Sequence, residues 1–202
     1  MATTSDVSIV SAALVHLGRD PIATLEDAGR IEAVVLRDRF AATRDKLLRT
    51  YPWNFAMRYA SLPGKALEPA QFGYTHACTL PSGGVLGDCL RVWRLGRKGV
   101  KWQVVGGELY VACEPPVPVS YLIRQDNPET FDPIFSELLA IELALNTMNR
   151  LATPDAQKSR RELFQFRRDL LRDARLHDAM EASPPEQGEH ASSSWLEARR
   201  PK

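Results

Sequence analysis

Three cysteines and four histidines are the residues of this chain best suited to metal or nucleophilic chemistry. His76 and Cys78 stand two apart on a predicted strand, so both side chains share one face. Cys89 and Cys113 would have to complete a zinc set with them. No CxxC pair is present, however, and the paired spacing that marks a zinc knuckle is missing. Ordinary sheet packing is the favoured reading of these residues. His16, His76, His177 and His190 are scattered and no GxSxG occurs, so no nucleophile is spelled out beside its base. Ser82-Gly83-Gly84-Val85-Leu86-Gly87 departs from the phosphate-binding pattern GxxxxGK[ST] and precedes a strand rather than a helix, which makes it a turn. The expectation is a protein without catalytic, metal or cofactor residues.

The charged residues say more. Asp169 and Asp173 fall on one helix face, but Arg168, Arg172 and Arg175 surround them, which predicts a salt-bridged surface. Glu137 and Glu142 lie in an apolar helix, where a glutamate needs an arginine from a neighbouring helix or subunit; a structural ion pair is expected. The densest positive charge is Arg91, Arg94, Arg97, Lys98 and Lys101, interleaved with Trp93 and Trp102 in one predicted hairpin. Such a hairpin can bind a nucleic-acid backbone. It can equally form a basic rim around aromatic anchors in a protein interface, and that use is favoured. Trp93, Arg94, Arg97, Lys98 and Trp102 are therefore candidate partner-binding residues. A nucleic-acid-binding packaging factor using residues 91–101 is the alternative.

The elements that must position these residues follow from periodicity. Val7, Val10, Leu14 and Leu17 share a face, giving a helix over residues 5–17 with Ser5 as N-cap and Gly18 as stop. A second, amphipathic helix is predicted over residues 27–50, ended by Pro52. Residues 134–151 are apolar nearly all round and predict a central helix. A fourth helix runs from Pro154 to about residue 180, with Leu163, Phe166, Leu170 and Ala174 on one stripe. Between the helix pairs lie six short strand-like runs, at 55–62, 74–80, 90–95, 100–105, 108–112 and 117–124. Gly96–Gly99 and Gly106-Gly107 are short enough to close hairpins, and the runs read as one antiparallel meander. The predicted fold is α+β: a four-helix bundle (residues 1–55 plus 128–182), an inserted β lobe (56–127) and an extended C-terminal arm (183–202). The arm is polar, with Trp195-Leu196 as its one apolar anchor. Trp195, Leu196, Arg199 and Arg200 complete the candidate partner-binding set.

Net charge is +1, so no global field draws the chain to nucleic acid or to a membrane. The first residues lack the basic and apolar regions of a signal peptide, and no stretch reaches the roughly 18 apolar residues of a membrane span. The expectation is a soluble protein made inside a cell, its cysteines reduced.

Several strings, in order, carry a resemblance. Residues 9–25 contain Leu14, Leu17-Gly18, Pro21-Ile22 and Thr24-Leu25. A long helix then closes on Leu47-Leu48-Arg49 and is followed by Tyr51-Pro52-Trp53-Asn54-Phe55-Ala56. Later come Tyr74, Leu80-Pro81, Cys89-Leu90-Arg91-Val92, and Phe131-Asp132-Pro133-Ile134-Phe135 opening a helix rich in Ala, Leu and Glu. Over residues 5–180 this resembles the tail tubular protein A family, the head-to-tail adaptors (connectors) of short-tailed phages and related prophages. The glycine-rich stretch at residues 82–87 is longer than the family pattern. The resemblance implies a structural subunit of the virion neck, made in the bacterial cytoplasm. It implies a homo-oligomeric ring, commonly of twelve copies, between the portal protein and the tail nozzle, with genomic DNA passing transiently through the lumen. It implies ring contacts through the helices, a C-terminal arm directed to the portal, no catalytic residues and no membrane partner.

Overall fold

A computed structural model describes residues 4–27 and 29–180 of the 202-residue chain. Over these residues it is a mixed α and β structure in which helices precede and follow two antiparallel sheets.

The first helix, α1, spans Asp6–His16. Ser5 caps it: its hydroxyl accepts from the Ser8 amide at 3.2 Å while Ser8 Oγ accepts from the Ser5 amide at 2.9 Å. Gly18 ends it with φ +69°, where an added Cβ would sit 2.6 Å from Thr153 Oγ1. Gly18→Ala is therefore expected to cost about 2 kcal/mol, a loss readable by urea unfolding, because it joins backbone strain to a steric clash.

The second helix, α2, spans Ile31–Leu48 and begins later than periodicity suggests. Asp27 accepts from the Gly29 amide at 3.0 Å and so closes a turn rather than opening a helix. Helix α3 is Pro133–Leu151; Asp132 caps it by accepting from Ile134 and Phe135, and its side chains are buried on nearly every face, as its composition requires. The expected fourth helix divides. A one-turn piece, α4 (Pro154–Lys158), precedes α5 (Arg160–Met180), with Ser159 between them outside the helical region. Helices α1, α2 and α5 each pack against α3.

The single meander expected from the sequence is not what forms. Strands β1 (Met57–Leu62), β4 (Cys89–Leu95) and β7 (Val117–Ile123) make one sheet in the order β1-β7-β4. Strands β2 (Lys65–Gln71), β3 (Tyr74–Thr79), β5 (Trp102–Val105) and β6 (Glu108–Val111) make a second, in the order β2-β3-β6-β5. The cause lies in β7. One of its faces is apolar throughout and needs a second sheet to cover it, while the other is buried only at its Leu122 end. Val117, Val119, Tyr121 and Ile123 pack with Leu62, Val92 and Leu95 against Leu109, Val111 and Cys78 of the second sheet. Leu122 points the other way, into the helical core with Met57 and Leu90. The first sheet is thus a middle layer between helices and second sheet. Strand β2 was not legible because Glu68 and Pro69 interrupt any β-type run; it is an edge strand, where proline is tolerated.

Candidate interaction surface

The corrected topology redraws the basic cluster. Gly106-Gly107 does join the hairpin β5–β6, with Val105 opposite Glu108. Gly96–Gly99 does not close a hairpin: it carries the chain from β4 in the first sheet to β5 in the second. The proposed hairpin 91–101 therefore does not exist, and its cations separate. Arg91 donates to the Arg49 carbonyl at 2.9 Å and lies 5.0 Å over the Trp93 ring. Arg97 donates to the carbonyls of Glu114 (2.8 Å) and Pro116 (3.1 Å). Lys101 donates to the Phe72 carbonyl at 2.8 Å and lies over Tyr74. Three of the five cations are thus occupied by the protein's own carbonyls and ring faces. Arg94 and Lys98 make no side-chain hydrogen bond or ion pair among the described residues.

What the fold brings together is aromatic surface, with Trp93 as the shared wall of two depressions. On one side, Trp93 and Trp102 line a 480 Å³ cleft with Arg49 and Arg91, where the edges of β4 and β5 meet. On the other, Trp93 and Arg94 line a 680 Å³ groove with Met57, Tyr59 and Pro118. That groove is the uncovered half of the first sheet's helix-facing side. Near Met57, Leu90 and Leu122 the helical core covers this side; further along the strands no described residue does, and Tyr59 is 79 % exposed. A bulge between Val92 and Arg94 shifts the register of β4 against β7, at the point where Trp93 divides the two depressions.

Of the sequence-derived candidates, then, Trp93, Arg94 and Trp102 belong to one surface. Arg97 is spent on backbone carbonyls. Lys98 sits in the intersheet turn. Trp195, Leu196, Arg199 and Arg200 lie outside the described residues. Tyr59, Met57 and Pro118 were missed. They come from two different segments, and only the pairing of β1 with β7, some sixty residues apart in sequence, makes them neighbours.

The other chemically able groups are placed less suggestively. Burial pushes the Cys78 thiol up, with Cys113 adding to it, and burial likewise raises Cys89. Both thiols are held protonated at neutral pH, which suppresses nucleophile and ligand character. His76 Nδ1 lies 3.0 Å from Thr75 Oγ1. No three His, Cys, Asp or Glu side chains among the described residues gather where they could hold a metal ion. Glu142 meets the arginine it was expected to need: Arg167 of α5 pairs with it, and Lys46 of α2 approaches at 3.8 Å. Asp169 and Asp173 are exposed and make no ion pair among the described residues, contrary to the salt-bridged surface expected there. Exposed pairs return little energy for the side-chain order they demand. No described helix is long and apolar enough to cross a membrane.

One titration has a clear sign. Burial pushes the His16 imidazole below its ordinary range, against the opposing pull of Glu137. The folded state therefore prefers neutral His16. Its contribution is present above the unfolded value near 6.5 and is lost as pH falls through the lower folded value. His16→Gln should flatten the decline of thermal stability below that pH; an unchanged slope would refute the assignment.

No family model matches this chain, and a search of curated proteins finds no match.

Proposed function

We propose that this protein is a structural head-to-tail adaptor of a phage neck, assembling as a ring, about twelve copies in number, between portal and tail nozzle with DNA passing through the lumen. The reading rests on the family resemblance of residues 5–180. It takes the four longer helices as the bundle that makes the ring contacts and residues 183–202 as the arm that meets the portal.

The observation that carries it structurally is a pair of separate apolar patches on different helices of one subunit. On α2, Ile31 (55 % exposed), Val34 and Val35 line a shallow depression rimmed by Asp38, Arg39 and Arg150. On α5, Phe166, 43 % exposed, lines a second depression with Leu163 and with His16, Met148 and Ala156 of neighbouring helices. Phe166 was expected on the buried stripe; Arg167 takes that place between Leu163 and Leu170 to reach Glu142, which turns Phe166 outward. Two unlike patches suit a heterologous contact, in which one patch of each copy covers the other patch of the next, and such contacts close into rings.

The test follows from that asymmetry. Ile31→Glu and Phe166→Glu should each leave helical content unchanged and each abolish ring formation with the portal protein. Mixing the two variants should yield a dimer and nothing larger, because only one intact patch pair remains. Rings that persist in either variant, or rings restored by mixing, contradict the reading. A second expectation concerns the arm: deleting residues 183–202 should leave the subunit folded and weaken portal attachment. Failure of the truncated chain to fold would contradict the arm assignment.

A further inference from the structure

The open half of the first sheet has an occupant suggested by where the described chain ends. Tyr51 forms one wall of the groove. Its hydroxyl donates to the Arg175 carbonyl at 3.4 Å, and the Arg175 guanidinium lies 5.5 Å over its ring. The last stretch of α5 thus runs beside the groove. Met180 follows Arg175 by five residues, about 7.5 Å of helix. Pro184 follows by four more, at most about 14 Å of extended chain. These lengths put the segment after α5 within reach of the groove at its Tyr51 end.

Its chemistry fits. Residues 181–190 read Glu-Ala-Ser-Pro-Pro-Glu-Gln-Gly-Glu-His, with three glutamates and neither lysine nor arginine. The groove is lined by Arg94 and by no carboxylate among the described residues, and its floor at Gly96 leads directly into Arg97 and Lys98. Its aromatic walls, Tyr59 and Trp93, stand on the two edge strands with Pro118 of the central strand between them. Grooves of spaced aromatic rings hold proline pairs well, because the extended proline conformation is already ordered before it binds.

We propose that residues 181–190 dock into this groove of their own chain, with Pro184-Pro185 lying over Pro118 between Tyr59 and Trp93, and with the glutamates facing Arg94 and the Arg97-Lys98 turn. Tethering so close to the site gives an effective concentration in the millimolar range, which favours the chain's own segment over that of a second copy. Docking fixes the point from which residues 191–202, with Trp195, leave the β lobe. The proposal goes beyond the adaptor reading and does not depend on it.

The test uses the intact full-length protein and a glutamate-specific protease, with the fragments identified by mass. Cleavage after Glu186 should be about tenfold or more slower than after Glu197, because only the undocked population is cut. Tyr59→Ser and Arg94→Glu, both surface changes, should each raise the Glu186 rate toward that of Glu197. Pro184→Ser with Pro185→Ser should do the same with no change in the folded body. The protection should be unaltered on hundredfold dilution. Equal cleavage at Glu186 and Glu197 in the unaltered protein overturns the proposal. So does protection that ignores all the variants, and protection lost on dilution would assign the groove to a second copy instead.

Discussion

Phe135→Ala is expected to be among the most damaging single substitutions in this protein, costing about 4 kcal/mol, since truncating a buried phenylalanine removes apolar burial and leaves a cavity. Phe135 is fully buried, in the first turn of α3. Trp53, Phe55 and Phe131 surround it with ring centroids at 5.1, 5.0 and 5.1 Å, all edge-on. Trp53 is itself anchored, its indole nitrogen donating to the Leu47 carbonyl at 3.2 Å. This cluster is where α2, the entry to β1 and the start of α3 converge, so its loss should loosen the join between helices and sheet. For a chain of this size the melting temperature should fall by about 12 °C. A loss under about 1 kcal/mol by urea unfolding would show that the cluster is not the keystone of the core.

Arg167→Ala should cost about 3 kcal/mol, because removing one partner strands a buried charge. The Glu142 side chain is only 7 % exposed, and Lys46 at 3.8 Å, itself largely solvated, is a poor replacement for the guanidinium. The cost belongs to the stranded carboxylate rather than to the attraction itself. Replacing both residues, as Glu142→Leu with Arg167→Leu, should therefore recover most of the loss, and measured stability of the three variants separates the two accounts. If Arg167→Ala is neutral, or the double replacement is no better than the single, the pair does not hold α5 to α3 in the way described.

The helices were legible because their signals are local. Ser5 and Thr153 cap in the structure where the residue order places caps, and the all-round apolar character of α3 matches its central position. Where local signals compete, sequence reasoning fails for identifiable reasons. Asp27 closes a turn where a helix was expected to begin, and Ser159 breaks the last helix. On α5 an inward arginine displaces Phe166, because Glu142 lies across from it. The strands were mostly legible one by one, but their arrangement was not. Alternation identifies a strand and leaves its partner open, so nothing in residues 90–105 announced that β4 and β5 enter different sheets. The interaction surface suffered most, since Tyr59, Trp93 and Pro118 meet only through that pairing. The basic cluster looked like a site because its cations are close in sequence; Arg91, Arg97 and Lys101 turn out to hold backbone carbonyls.

The central claim, a ring subunit seated against a portal, is tested most directly by electron microscopy of the full-length protein mixed with its portal protein. The account predicts a closed ring of about twelve subunits, coaxial with the portal and open along its axis, because one unlike pair of patches repeats around it. Portal particles that stay bare, with the protein remaining monomeric beside them at saturating concentration, would contradict it.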